Sequence, residues 1–151
     1  MIRPAIMDDV PTLVEMGRAL HAESPRWSRL PFNDVKVTVL LSRLITDPNG
    51  FLYVHEGAGG IDGGLAAIVE PHWASDALLA HELSLFVRPG ARGSMAAVRL
   101  IAHLDAWAER KGAAWLNVGI STGVQVERTT QLYQRLGFSP CSVGLEMAYG
   151  N

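Results

Sequence analysis

A chain of 151 residues suits one domain around one core. With 48% hydrophobic and 19% charged residues, disordered and fibrous classes are excluded. A formal net charge of −2 offers no overall cationic field, so neither nucleic acid nor a membrane surface is an expected partner.

The chain opens with "MIRPA", which predicts a short strand, and then "MDDVPTLVEMGRALHAE", where Asp8 or Asp9 can cap a helix over about 9–22 with Val10, Leu13, Val14, Met16 and Leu20 at helical spacing. Two prolines in "SPRWSRLPF" break that helix. "NDVKVTVLLSRLITDPNG" predicts a second one, capped by Asn33 and stopped by "DPNG". "FLYVHE" and "GGLAAIVEPHW" flank the turn-forming "GAGGIDGG" and predict an antiparallel hairpin. A strand at "HELSLFV" leads into a helix over about 93–111, with Ala97, Ile101, Leu104 and Ala108 on one face and Gly112 just beyond its end. A strand at "AAWLNVGI", a short amphipathic helix at "ERTTQLYQRL" closed by Gly137, and a final strand at "SVGLEMAY" complete the order. No repeat, linker or low-complexity segment interrupts it. The expectation is one α/β (α+β) domain over 1–151, a mixed sheet of about six to seven strands with about four helices on its faces.

The N-terminus lacks the cationic segment and apolar run of a signal peptide. No stretch reaches about 18 uninterrupted apolar residues. The single cysteine, Cys141, excludes an internal disulfide and suits a reducing compartment, so a cytoplasmic location is expected.

"FVRPGARGSMAAVRLI" carries the chemistry. A strand that hands over to a helix through small residues leaves the first helical N–H groups unpaired at the positive end of the helix dipole, where a diphosphate can sit. Arg92 adds a charge, and Gly93, Ser94, Ala96 and Ala97 keep bulk away. The plain alternative is a strand-to-helix turn with no ligand. An ATP-type loop needs Gly-Lys followed by Ser or Thr, which is absent. The dinucleotide fingerprint needs three spaced glycines on a first strand, which this order does not supply.

The element order, "ELSLFVRPGARGSMAA" and, about 35 residues later, "LYQRLGF" together resemble the GNAT superfamily of acyl-CoA-dependent N-acetyltransferases over nearly the whole chain. The resemblance implies acetyl-CoA as cosubstrate and no metal, with Arg92, Gly93, Ser94, Met95, Ala96 and Ala97 wrapping its diphosphate and Leu85, Phe86 and Val87 pairing with its pantetheine arm. Met95 stands where that family's loop has a glycine. Tyr133 takes the position of the acid that protonates the leaving thiolate, and Glu82 that of a catalytic carboxylate; Glu82 or a water serves as base. Val126 and Thr129 replace an Asn and an Ala common in relatives. His72 and His81 show no third ligand for a metal.

The acceptor site is expected from the first two helices and the hairpin, with Trp27 and Trp73 as aromatic walls. The function expected is transfer of an acetyl group from acetyl-CoA to a primary amine by direct attack in a ternary complex. The alternative is a non-catalytic CoA-binding or interaction module that keeps the fold. A polyamine, an aminoglycoside-like molecule, an amino acid and a protein terminus all remain open as acceptor, and a homodimer formed through the final strands is open as well.

Overall fold

The computed structural model describes residues 1–150. Five strands form one mixed sheet in chain order, β1 (Ile2–Pro4), β2 (Gly50–Gly57), β3 (Gly60–Pro71), β4 (Leu78–Val87) and β5 (Leu116–Asn117). The first four pair antiparallel, and β5 joins β4 in parallel. Helices α1 (Val10–Glu23) and α2 (Asp34–Thr46) cover one face, while α3 (Ala96–Arg110) and α4 (Val126–Arg135) cover the other.

Strand alternation divides the core. Leu52 and Val54 of β2 and Ala66 of β3 meet Leu13, Val14, Met16, Leu20, Leu41 and Leu44 of the first helix pair. Their neighbours Phe51, Leu65, Ala67 and Val69 meet Leu100, Ile101, Leu104 and Trp107 of α3. Each fully buried side chain of this size contributes about 1.5–3 kcal/mol, so the two apolar layers supply most of the drive to fold.

Local chemistry sets the helix ends. Asn33 caps α2 by accepting from the Lys36 N–H at 3.0 Å. Asp9 precedes α1 without capping it, because its carboxylate accepts from the Ile6 N–H at 2.8 Å and holds Arg3 at 2.7 Å. Arg3 also reaches Glu56 at 2.6 Å, which ties β1 to β2.

Three expectations are corrected. The hairpin turn is two residues, Ala58 and Gly59, rather than the whole of "GAGGIDGG", since Gly57 pairs with Gly60 and the ladder runs to that point. The helix predicted from 93 begins at Ala96, because Gly93 takes a positive φ of 88° that breaks the helical path. The sheet has five strands rather than six to seven: "SVGLEMAY" makes no ladder, and "AAWLNVGI" keeps only Leu116–Asn117 in β5. Glu146 instead pairs with Arg26 and Arg29, drawing the last segment across the α1–α2 connection and leaving Val143, Leu145, Met147 and Tyr149 exposed.

Gly50 marks the closest approach of the sheet to α2. A Cβ there would lie 2.7 Å from both the Cα and the carbonyl oxygen of Leu44, and main chain cannot swing aside. Gly50→Ala is therefore expected to cost about 1–3 kcal/mol by urea unfolding; an unchanged midpoint would show that α2 is not seated on this strand.

Candidate functional site

The site begins where the sheet breaks. Ala66 pairs with Ser84 and Ala67 with Glu82, so Leu83 is an extra residue and β4 carries a bulge. Before the bulge, Leu78 and Ala80 face α3; after it, Leu85 takes over that face and Phe86 turns to α1 and α2. Pairing with β5 ends close by, with Ala80 opposite Leu116 and His81 opposite Asn117. From there the two strands part.

What holds them apart is the α1–α2 connection. Ser24, 0% exposed, donates its hydroxyl to the Thr122 carbonyl at 2.5 Å and accepts from the Trp27 N–H at 2.9 Å. Arg26 donates to the Ser121 carbonyl beside it. The stretch after β5 is thus fastened to the end of α1 rather than to β4, and a cleft of about 470 Å³ opens between them.

One wall of this cleft is the free edge of β4 from Glu82 to Val87; the other is Gly119–Thr122 with the α4 residues Arg128 and Tyr133. Its end is the loop into α3. There Ser94 Oγ accepts from the Ala96 N–H at 3.2 Å, and the Arg99 N–H bonds the Met95 carbonyl at 3.0 Å. Between them, the N–H groups of Ala97 and Val98 have no partner among the described residues, as the first turn of a helix dictates.

Two ionisable groups meet in the cleft. Burial pushes the Glu82 carboxyl up to about 7, against a smaller opposing effect of the Gly119 N–H, which donates to Oε2 at 3.2 Å. Burial and then the charge of Glu82 raise the Tyr133 hydroxyl above its ordinary range, so it stays protonated. The hydroxyl makes no hydrogen bond to a described residue. Among the described residues no buried side-chain polar atom lacks a partner, so this oxygen opens into the cleft. Phe138 packs edge-on against the ring at 5.3 Å and fixes its plane.

Of the residues singled out for the cosubstrate, Leu85, Phe86, Val87, Arg92, Gly93, Ser94, Met95 and Ala97 all line the cleft. Ala96 does not; it is buried against the core in the first turn of α3. Met95, 54% exposed, lines the cleft at the loop end. Arg92 departs from expectation. Its guanidinium is held by Glu23 through two bonds of 2.6 Å, by the Val87 carbonyl at 3.0 Å, and over the Phe86 ring, and Glu23 is correspondingly held below the usual carboxylate range. Trp27 lines the cleft from the α1–α2 connection, whereas Trp73, 92% exposed on the β3–β4 turn, lies outside the cleft and packs on His72. His81 faces Asn117 and Glu70 instead of the cleft.

Sequence reasoning missed Arg128. It lines the cleft with one guanidinium nitrogen 3.6 Å from where a Cβ on Gly93 would stand, and no described residue neutralises it. No motif marks such an arginine on a polar helix face; only the fold brings it to the loop. Among the described residues no group of three or more His, Cys, Asp or Glu is placed to hold a metal, and no helix is long and apolar enough to cross a membrane.

A family model described as an acetyltransferase (GNAT) domain matches residues 48–140, which contain both walls of the cleft. The chain belongs to the GNAT acetyltransferase family. Solved structures share the GNAT fold over its full length. A transcriptional regulator from Bacillus halodurans C-125 is 21% identical, with 99% of each chain covered and a TM-score of 0.78. A Trypanosoma brucei acetyltransferase is 18% identical, with 99% of each chain covered and a TM-score of 0.72. An aminoglycoside antibiotic 6'-N-acetyltransferase from Acinetobacter haemolyticus is 12% identical, covering 100% of this chain and 99% of that one, with a TM-score of 0.75. At such identities the likeness is one of fold. No match is found among curated proteins.

A carboxyl held protonated in the folded state above its ordinary value of 4.5 retains a proton that the unfolded chain has released. Stability therefore falls as pH rises from 4.5 to about 7 and levels off above that. Glu82→Gln cannot ionise, so urea unfolding should show the variant gaining on the parent across this window. A difference independent of pH would contradict the buried carboxyl.

Proposed function

We propose that this protein is an N-acetyltransferase that moves an acetyl group from acetyl-CoA to a primary amine by direct attack in a ternary complex. One observation carries the reading: Glu82 and Tyr133, the one poised near neutrality and the other kept protonated, open into a single cleft along the free edge of β4.

The residues present fit acetyl-CoA, which supplies an activated acetyl thioester. The unpartnered N–H groups of Ala97 and Val98 and the guanidinium of Arg128 suit its diphosphate. The β4 edge beyond the bulge suits its amide-bearing arm, because unpaired strand groups bind an extended chain as a further strand would. Main-chain donors on that edge also stabilise negative charge developing on the carbonyl oxygen.

The chain's residues then manage protons. An alkyl amine with a pKa of about 10.4 is almost wholly protonated at neutral pH and cannot attack until it loses a proton. Glu82, ionised above about 7, takes that proton at its free carboxylate oxygen, directly or through a water. Tyr133 gives its hydroxyl proton to the leaving sulfur. Arg92 acts at one remove, fastening the loop to α1 through Glu23 so that the α3 N-terminus keeps its position.

Tyr133→Phe keeps the ring and removes the proton. It should lower kcat by ~10²–10⁴-fold, as removal of an acid–base group does, with little change in KM for acetyl-CoA. The kcat/KM profile of the parent should rise along a limb centred near pH 7 that Glu82→Gln abolishes. Full turnover in Tyr133→Phe would remove the acid assignment, and binding of acetyl-CoA without transfer to any amine would leave a CoA-binding module.

A further inference from the structure

The cleft does not end at Glu82. A second cavity of about 370 Å³ lies between α1, α2 and the sheet, and it shares Leu20, Trp27, Leu83 and Ser84 with the first. The bulge is where the two meet: Leu83 and Ser84 line both cavities and follow Glu82 directly in the chain, so the second cavity borders the cleft next to the residue that carries the carboxylate.

The lining of this cavity is chemically one-sided. Its floor and walls are apolar, with Leu13, Phe32, Leu41 and Leu52 among them, and not one aspartate or glutamate is included. Among the described residues the ionisable ones in the lining are His21, whose ring packs edge-on against Phe32 at 5.3 Å, and Lys36 at the rim. A polycation placed here would lose its hydration to apolar carbon, meet an ammonium of its own sign and find no carboxylate to replace the lost water. A monoamine on an apolar body meets none of these costs, and its body removes hydrocarbon from water on both sides of the contact.

We propose that the acceptor is a small primary monoamine carried on an apolar, aryl- or branched-alkyl body, with the body in the second cavity and the nitrogen directed at Glu82. This assignment rests on the acetyltransferase reading, but its binding half stands by itself. It sets aside the polyamines and aminoglycoside-like polycations that the sequence left open.

Gly17 supplies the variant. It lines the cavity, and a Cβ there would meet only Phe32 at 3.9 Å and Val37 at 4.0 Å, ordinary contacts. Gly17→Leu places an isobutyl group in the space intended for the aryl body, and in mid-helix it raises helix propensity, which favours folding.

The test compares 2-phenylethylamine with spermidine and kanamycin as acceptors by release of free thiol from acetyl-CoA, and measures 2-phenylethylamine binding separately by calorimetry. We expect kcat/KM at least tenfold higher for 2-phenylethylamine than for either polycation, in keeping with the ~10–200-fold worth of apolar groups in a pocket. Gly17→Leu should reduce both its turnover and its binding at least tenfold while KM for acetyl-CoA stays within about twofold. Preference for a polycation, or indifference to Gly17→Leu, overturns the assignment. If no amine is acetylated yet 2-phenylethylamine binds and Gly17→Leu abolishes that binding, the cavity assignment holds and the acetyltransferase reading falls.

Discussion

The structure turns on a single parting of strands. β4 and β5 share only two paired positions before Ser24 and Arg26 capture the carbonyls of Thr122 and Ser121 and draw the chain after β5 toward the end of α1. A sheet that continued pairing would bury every β4 group in a ladder and leave no cleft. Because Ser24 is wholly enclosed, its hydroxyl cannot exchange Thr122 for water, and an unmade bond of this kind costs about 1–3 kcal/mol. The parting is thus built into the fold.

The bulge at Leu83 does the complementary work along the strand. By one extra residue it leaves Glu82 on the α3 side, with Tyr133, and turns Phe86 into the core beneath α1 and α2. The carboxyl then sits where water is scarce and one N–H donor is not enough to restore its ordinary acidity. The displaced residues Leu83 and Ser84 also line the apolar cavity. One irregularity therefore sets the face on which Glu82 lies and the place where cleft and cavity adjoin.

Much of this was legible in the sequence, for reasons that differ by element. Asn33 and "DPNG" bound α2 because side-chain capping and turn chemistry are local. Gly93 and the small residues before α3 marked the turn from strand to helix, because backbone freedom shows in composition. The bulge was hidden, since "HELSLFV" is apolar enough to sit on either face. Arg92 misled: its charge was visible, but Glu23 lies 69 residues away and nothing local announces the pair. Arg128 and the clamp of Ser24 on Thr122 escaped for the same reason, a contact across 98 residues in the latter case. "SVGLEMAY" has the alternation of a strand, yet a strand needs an edge to pair with, and Glu146 is engaged by two arginines elsewhere.

We propose that the gap between β4 and β5 seats coenzyme A and is closed at one end by the amides of α3. A crystal structure of the protein with coenzyme A tests it most directly. Pyrophosphate oxygens are expected within about 3.2 Å of the Ala97 and Val98 nitrogens, with Arg128 turned onto them and the pantetheine arm hydrogen-bonded along residues 83–87. Coenzyme A bound away from this gap, or a gap closed by renewed pairing of the two strands, would contradict it.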